Sequence, residues 1–238
     1  MRTLRIRIAY TKVEEAKYIA HLDLSRVFER ACRRAGIPLA YSQGFNPHPK
    51  IAFGSALAVG VEGEQEYVDL ELEKEMDLKE LLGSLQEQLP KGIRLLEGRQ
   101  INPKARALMA VLNGATYQIR TSLTLPLTEE KLQKAINDWM DRSYIPYIRY
   151  NKKGRVEKDI RPWVKELKGK IKDHEVIFDL EVEIGNQGSV RPEEVIASLK
   201  KLEELPLEME FLRIRRTGIF VSYEGKKVSP LEQEAFGK

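Results

Sequence analysis

Residues 67–73 have the sequence Tyr67-Val-Asp-Leu-Glu-Leu-Glu73, in which apolar and acidic side chains alternate. Residues 177–183, with the sequence Ile177-Phe-Asp-Leu-Glu-Val-Glu183, follow the same pattern, and both contain the triplet Asp-Leu-Glu, starting at positions 69 and 179. Strict alternation predicts a strand with one buried face in each place. The chain is therefore predicted to contain two copies of one structural unit in tandem.

The sequence that follows each acidic strand also repeats. A helix is predicted over 77–89 and another over 191–202, because leucine and other apolar residues recur there at helical spacing. Each helix is followed by a further apolar strand, near 93–96 in the first copy and near 209–214 in the second. The back halves of the two copies therefore correspond.

The sequence that precedes each acidic strand corresponds as well. Alternating strands are predicted at 4–10 and 117–125. Each is followed by a helix, over 23–35 in the first copy and 128–140 in the second, and Asp23 is predicted to cap the first of these helices. The glycine after the first helix is predicted to end it.

The middle strand of each copy is the least regular, and we place it within 39–59 in the first and 147–159 in the second. The order βαββαβ then occurs twice, which predicts an α+β fold of two tandem ferredoxin-like units. Each unit would have an antiparallel sheet with both helices on one face. The predicted boundaries are 1–112 for the first unit, 113–228 for the second and 229–238 for a C-terminal tail.

Composition restricts the class of protein. A hydrophobic content of 42% and a charged content of 32% are typical of a soluble globular protein. The sequence contains no apolar run of 18 residues, so neither a membrane-spanning helix nor a membrane partner is predicted. The N-terminal residues alternate charged and apolar side chains, unlike a signal peptide. Cys32 is the one cysteine, so this chain cannot form an intramolecular disulfide or ligate an iron–sulfur cluster alone. We expect a cytoplasmic protein without metal or cofactor.

The outward residues of the acidic strands are predicted to pair with arginines on neighbouring strands. In the first unit the outward acids would lie beside the outward arginines of strand 1; the residues are Asp69, Glu71, Glu73, Arg5 and Arg7. In the second unit the corresponding acids would face Arg120. The free face of each sheet is thus predicted to be charge-paired, and it lacks the exposed aromatic residues of an RNA-stacking platform.

Two regions carry positive charge that is not used in the predicted pairing of acids and arginines on the sheets. On the first helix, four arginines share a face at spacings i, i+4, i+7 and i+8: Arg26, Arg30, Arg33 and Arg34. From Asp141 to Lys172 there are eleven Lys or Arg against four acids, a net charge of +7, with tyrosines interleaved. Each region is either a solvated basic surface or a surface for RNA phosphates.

Within the second region, Lys152-Lys-Gly-Arg155 is predicted to form a hairpin tip. The candidate RNA-binding residues there are Lys152, Lys153, Arg155, Lys158 and Arg161. Asp159 precedes a short predicted helix, and its simplest role is to cap that helix. The alternative to RNA binding is a solvated hairpin whose aromatic residues belong to the core.

A proline- and glycine-rich loop follows the first helix. Its sequence Asn46-Pro-His-Pro-Lys50 forces extended or turn backbone, and it either presents Asn46, His48 and Lys50 to a ligand or locks two strands together. His21, which precedes the first helix, is a catalytic or phosphate-binding candidate that could equally be a packed side chain. Two histidines alone are too few for a metal site, and none is predicted.

Two long motifs resemble a known family. The stretch Ala20-His-Leu-Asp-Leu24, with the sequence from Arg33 through Tyr41-Ser-Gln-Gly-Phe-Asn-Pro-His-Pro-Lys50, closely resembles the radical-SAM-linked domain, a bacterial domain of unknown function, and so does Lys158-Asp-Ile-Arg-Pro162. That resemblance implies a chain fused to, or encoded beside, a B12-binding-type radical SAM protein. A radical SAM cluster needs three cysteines, so this chain would be the partner and not the enzyme.

Three hypotheses for function follow. The first is a non-catalytic RNA-binding partner that presents rRNA or tRNA to a radical SAM enzyme, with binding lost on charge reversal at Arg30, Arg33 and Lys153. The second is an RNA-processing endoribonuclease of the tandem ferredoxin-like type using His21, although the glycine-rich loop of such enzymes is missing. The third is a protein-interaction subunit that docks through a loop around Phe45.

Overall fold

A computed structural model describes residues 4–151, 154–185 and 188–232. The chain divides into two compact units. Unit 1 holds the described residues up to Leu112 together with those from Gly218 onward, and unit 2 is Asn113–Thr217. This division differs from the predicted boundaries, which placed 113–228 in one unit, because the last part of the chain packs on unit 1: Arg7 Nη1 donates a hydrogen bond to Pro230 O at 2.9 Å.

Unit 1 contains antiparallel strands with two long helices. Its elements in chain order are β1 (Leu4–Lys12), α1 (His21–Arg34), β2 (Ile51–Phe53), β3 (Glu62–Leu72), α2 (Leu78–Gln88), β4 (Leu95–Ile101) and the short α3 (Leu108–Val111). The strand order is β4-β1-β3, and β2 also pairs with β3. Every one of these pairs is antiparallel. The irregular middle strand predicted within 39–59 is reduced to the three residues of β2.

The first helix ends where the sequence predicted but begins earlier. Gly36 has φ of +67°, a left-handed conformation that glycine adopts without strain, and Ile37 N donates to Cys32 O at 3.0 Å to close the helix. The prediction that Asp23 caps α1 is wrong. The helix starts at His21, and its N-cap residue makes no side-chain capping bond. Asp23 therefore lies in the first turn, where it pairs with Arg26 at 3.0 Å.

The core of unit 1 lies between α1, α2 and one face of the sheet. Ile8 and Leu70 from neighbouring strands are buried there with Phe28 of α1 and Leu85 of α2. The ring of Phe53 lies edge-on to that of Phe28, with centroids 5.3 Å apart. Because β2 carries Phe53, this contact fixes the short strand against α1.

The opposite face of the unit 1 sheet is charge-paired but buried, which corrects the prediction of a free face. Arg7 is directly opposite Asp69 in the β1–β3 register. Arg7 Nε donates to Asp69 Oδ1 at 2.7 Å and Arg5 Nη2 donates to Asp69 Oδ2 at 2.6 Å. Ala105, before α3, accepts a bond from Arg5, and Pro230 accepts one from Arg7. The segments around these two carbonyls cover the pair.

Unit 2 has the same alternation of strands and helices, with one addition. Its elements are β5 (Gly114–Ser122), α4 (Glu129–Met140), β6 (Pro146–Asn151), β7 (Gly154–Asp159), β8 (Val164–Lys172), β9 (Glu175–Glu183) and α5 (Pro192–Leu202). The strand β10 (Arg213–Tyr223) begins in unit 2 and is followed by β11 (Lys226–Val228) in unit 1. The strand order in unit 2 is β10-β5-β9-β8. Thr128 caps α4 by accepting a bond from Lys131 N, at the start of the helix that was predicted over 128–140.

The middle strand of unit 2 was predicted in the wrong place. Residues 147–159 form β6 and β7, a two-stranded sheet of their own, and β8 takes the position beside β9. β8 alternates lysines with few apolar residues, so its pattern is weak in sequence. Close packing against α4 defines the position of β8. A Cβ on Gly169 of this strand would lie 2.7 Å from Ile136 of α4.

The chain thus has a mixed α+β fold with antiparallel sheets. Among the described residues, no helix is long and apolar enough to cross a membrane.

Candidate nucleic-acid interface

The β6–β7 ribbon lies within the basic region from Asp141 to Lys172, which has a net charge of +7. Tyr147 pairs with Lys158 and Arg149 pairs with Val156 in its antiparallel register. Residues 154–157 are all exposed. The first four residues of β7 are therefore directed to solvent, and the far end of the ribbon is attached to unit 2.

The attachment begins at the base of the ribbon. Asp159 Oδ1 accepts bonds from Ile145 N at 2.9 Å and Arg161 N at 3.0 Å. Arg161 donates to two backbone carbonyls, from Nε to Met140 O at 2.9 Å and from Nη1 to Val164 O at 2.7 Å. The prediction that Asp159 caps the short helix is wrong, because the helix Arg161–Trp163 has Ile160 as its N-cap residue without a side-chain capping bond. Asp159 instead joins both chain segments at the ribbon base.

One face of the ribbon is attached to the start of α5. The Arg149 guanidinium makes two bonds to Glu194, at 2.5 and 2.6 Å, and one to Ser189 O at 3.0 Å. Glu194 is 4% exposed. Lys158 Nζ donates to Ser189 O at 2.8 Å and lies 4.8 Å from the centre of the Trp163 ring. Burial, followed by the nearby charge of Arg149, lowers the pKa of Lys158.

Three further basic candidates belong to the sequence 152–155. Lys152 and Lys153 lie outside the described residues. Arg155 is exposed, and it has no hydrogen bond or ion pair to a described residue. Of the basic candidates that the structure describes here, Arg155 is directed to solvent, whereas Lys158 and Arg161 are bonded within the fold. The assignment of any of them to RNA binding stays a prediction.

The arginine face of α1 is less uniform than its spacing predicted. Arg26 and Arg33 are exposed and each pairs with an acid on its own helix, at 3.0 and 3.1 Å respectively. Arg30 is exposed and has no partner among the described residues. Arg34 instead donates to Gln88 Oε1 at 3.0 Å and Gln88 O at 2.7 Å, which joins α1 to α2. All four arginines are therefore exposed, and they differ in their partners.

The loop after α1 exposes its polar candidates without bringing them together. Lys50 Nζ donates to Glu71 Oε2 at 2.9 Å. The backbone of His48 bonds to Ser42, and the side chains of Asn46 and His48 are exposed. These contacts join the two sides of the loop, and they leave Phe45 at its tip.

The remaining chemical candidates have apolar neighbours. His21 is exposed, and its ring lies edge-on to Phe53 with centroids 5.6 Å apart. Cys32 is fully buried, and that burial raises the pKa of its thiol to about 12, so the thiolate needed for reaction is scarce at neutral pH. Within the described ranges there is no group of three or more His, Cys, Asp or Glu that could hold a metal ion.

Sequence reasoning missed the acceptors that attach the ribbon. Glu194 accepts from Arg191 N at 2.9 Å as the third residue of α5, the position of the glutamate in a capping box. The spacing of Glu194 three residues after Arg191, with Pro192 at the first helical position, indicates the start of a helix in the sequence. Nothing local indicated that the same carboxylate would also bind Arg149.

Two solved structures each contain a chain that is similar to this one. The structure of a Cbf5-Nop10-Gar1 complex contains a chain that shares 14% identity with a TM-score of 0.47, covering 81% of this chain and 44% of that one. For the archaeal box H/ACA sRNP Nop10-Cbf5 complex the identity is 13% and the TM-score 0.47, covering 90% and 47%. This chain thus spans less than half the length of either match.

No curated protein matches the sequence. A family model does, over residues 5–192, and its description is an uncharacterized protein conserved in bacteria (DUF2344). Because that match covers most of the 238 residues, the chain belongs to this family.

Proposed function

We propose that the chain is a non-catalytic RNA-binding subunit and that the β6–β7 ribbon makes the principal contact. The observation that carries this proposal is the contrast between the two ends of the ribbon. Its base is fixed by Asp159 and Glu194, whereas Arg155 near the tip is exposed and without a partner in the described part of the chain. A fixed arm with a basic tip is suited to phosphate contacts.

Charge and aromatic character together favour RNA as the ligand. Cations of the ribbon attract phosphates, and an exposed aromatic ring beside the ribbon can stack on an unpaired base. Tyr144, just before β6, is exposed and its hydroxyl is held by Glu157 at 3.0 Å. Arg30 on α1 offers a second exposed cation without a described partner.

We further propose that the RNA is an rRNA or tRNA and that the chain serves a radical SAM enzyme in the cytoplasm. The support is the resemblance of the motifs at 20–50 and 158–162 to the radical-SAM-linked domain. Having one cysteine, this chain would depend on another chain or domain for the cluster.

We also infer that each unit is ferredoxin-like. What supports this inference is the order of elements βαββαβ in each, with strand order β4-β1-β3 plus β2 in unit 1 and β10-β5-β9-β8 in unit 2. On this assignment the β6–β7 ribbon is an insertion between the first helix and the second strand of unit 2. An insertion of this kind can carry function without disturbing the sheet.

Arg155→Glu is expected to weaken binding of a short mixed-sequence single-stranded RNA about tenfold, because it removes a phosphate contact and adds repulsion. Fluorescence anisotropy at several salt concentrations measures this effect. The slope of log affinity against log salt should become shallower by about 1. The matched control is Lys131→Glu, an exposed lysine on α4, which should leave binding unchanged.

Two results would contradict the proposal. One is RNA affinity that does not depend on salt in the wild-type chain. The other is an equal loss of affinity in Arg155→Glu and Lys131→Glu, since that would indicate a diffuse attraction to the whole protein.

A further inference from the structure

The loop between Tyr41 and Pro49, called here the 41–49 loop, exposes an aromatic ring completely. Phe45 at its tip has a relative exposure of 107%, the largest of any large apolar side chain in the described residues. Tyr41 at the base of the loop is 40% exposed. A single exposed apolar side chain is common on protein surfaces, so the shape and the composition of the loop decide whether this ring marks a binding site.

Hydrogen bonds join the two ends of the 41–49 loop. Tyr41 and Pro49 face each other in an isolated antiparallel bridge. Ser42 N donates to His48 O at 2.8 Å, and His48 N donates to Ser42 Oγ at 2.9 Å. Gly44 has φ of +129°, a conformation that favours glycine. These bonds close the base of the loop, which lowers the ordering entropy that is lost when Phe45 binds.

The same loop has no fixed charge. From Tyr41 to Pro49 the sequence contains no Asp, Glu, Lys or Arg, in a chain that is 32% charged. The next residue, Lys50, is paired with Glu71 at 2.9 Å. Sites that stack RNA bases combine aromatic rings with cations, so the 41–49 loop is unlike an RNA contact. It has the composition of an interface centre, where aromatic residues are enriched and charges depleted.

We infer that the 41–49 loop docks on a partner protein by inserting the Phe45 ring into an uncharged apolar pocket. An acidic pocket would lose its hydration against the ring without compensation, because the loop carries no fixed positive charge. A buried aromatic anchor surrounded by near-neutral contacts is the usual form of a binding hot spot. This docking is separate from RNA binding by the β6–β7 ribbon and does not depend on it.

The experiment begins with photocrosslinking of the full chain in its own cells. A benzophenone amino acid replaces Phe45 in one variant and Phe211 in a control, since Phe211 is also exposed, at 77%, but follows the acidic Glu210. We expect one protein adduct from position 45 that survives ribonuclease and none of the same mass from position 211. The crosslinked protein is then purified to serve as the probe.

Affinity for that purified protein decides the proposal. Phe45→Ala should weaken binding tenfold or more with an unchanged melting temperature, because the ring is exposed. Ser42→Ala, which removes the acceptor of His48 N, should weaken binding with the ring intact. Phe211→Ala should bind as the wild type does.

Four results would overturn the proposal. They are the absence of a protein adduct at position 45, an adduct that ribonuclease removes, an adduct between two copies of this chain, and equal affinity of Phe45→Ala and wild type.

Discussion

Asp69→Ala is expected to destabilise unit 1 by about 3–5 kcal/mol. The Asp69 carboxylate is the shared acceptor of Arg5 and Arg7, and both Asp69 and Arg7 are 1% exposed. Removing it would take from two guanidinium groups in a buried place the acidic acceptor that they share. An uncompensated buried charge costs far more than the net stabilisation given by an intact pair.

Urea unfolding, followed by hydrogen exchange of the β1 and β3 amides, measures this loss. Glu71→Ala is the matched control, because Glu71 lies two residues further along β3 and pairs with Lys50 at a partly exposed position. Exposed pairs contribute about 0–1 kcal/mol. Equal losses in the two variants would show that the Asp69 cluster is not the buried charge centre described above.

Glu194→Ala is expected to cost about 2–3 kcal/mol in unit 2 and to loosen the β6–β7 ribbon. Glu194 accepts two bonds from Arg149 and one from Arg191 N. Without it the guanidinium, already partly removed from water, loses its partner and α5 loses a capping bond. The substitution should also weaken RNA binding, since the tip would no longer be held in one orientation.

Hydrogen exchange of the β6 and β7 amides tests this prediction together with urea unfolding. Glu193→Ala removes the same charge from the neighbouring position and is the control. If ribbon amides exchange at the same rate in both variants, the attachment through Arg149 and Glu194 does not hold the ribbon.

Much of the fold could be predicted because its signals are local. The alternating residues of β3 and β9, the threonine that caps α4 and the glycine that ends α1 each act on neighbours in sequence. Two errors arose where long-range packing decides the outcome. β8 is defined by its pairing with β9 and its contact with α4, and the buried face of the unit 1 sheet is covered by a segment more than 200 residues away from Arg7.

The candidate site was predicted only in outline for the same reason. Composition located the basic cluster around β6 and β7. It could not distinguish Arg155, which reaches solvent, from Lys158 and Arg161, whose bonds go to backbone carbonyls of unit 2. Every residue has a backbone carbonyl, so the sequence cannot show which carbonyls accept these bonds.

Ultraviolet crosslinking of the full chain to RNA, followed by mass spectrometry of the crosslinked peptides, tests the central claim most directly. The account predicts that the dominant crosslinked peptides come from the ribbon, between Tyr144 and Lys158, and that their yield falls in Arg155→Glu. Crosslinks confined to other parts of the chain, or no RNA crosslinks at all, would contradict it.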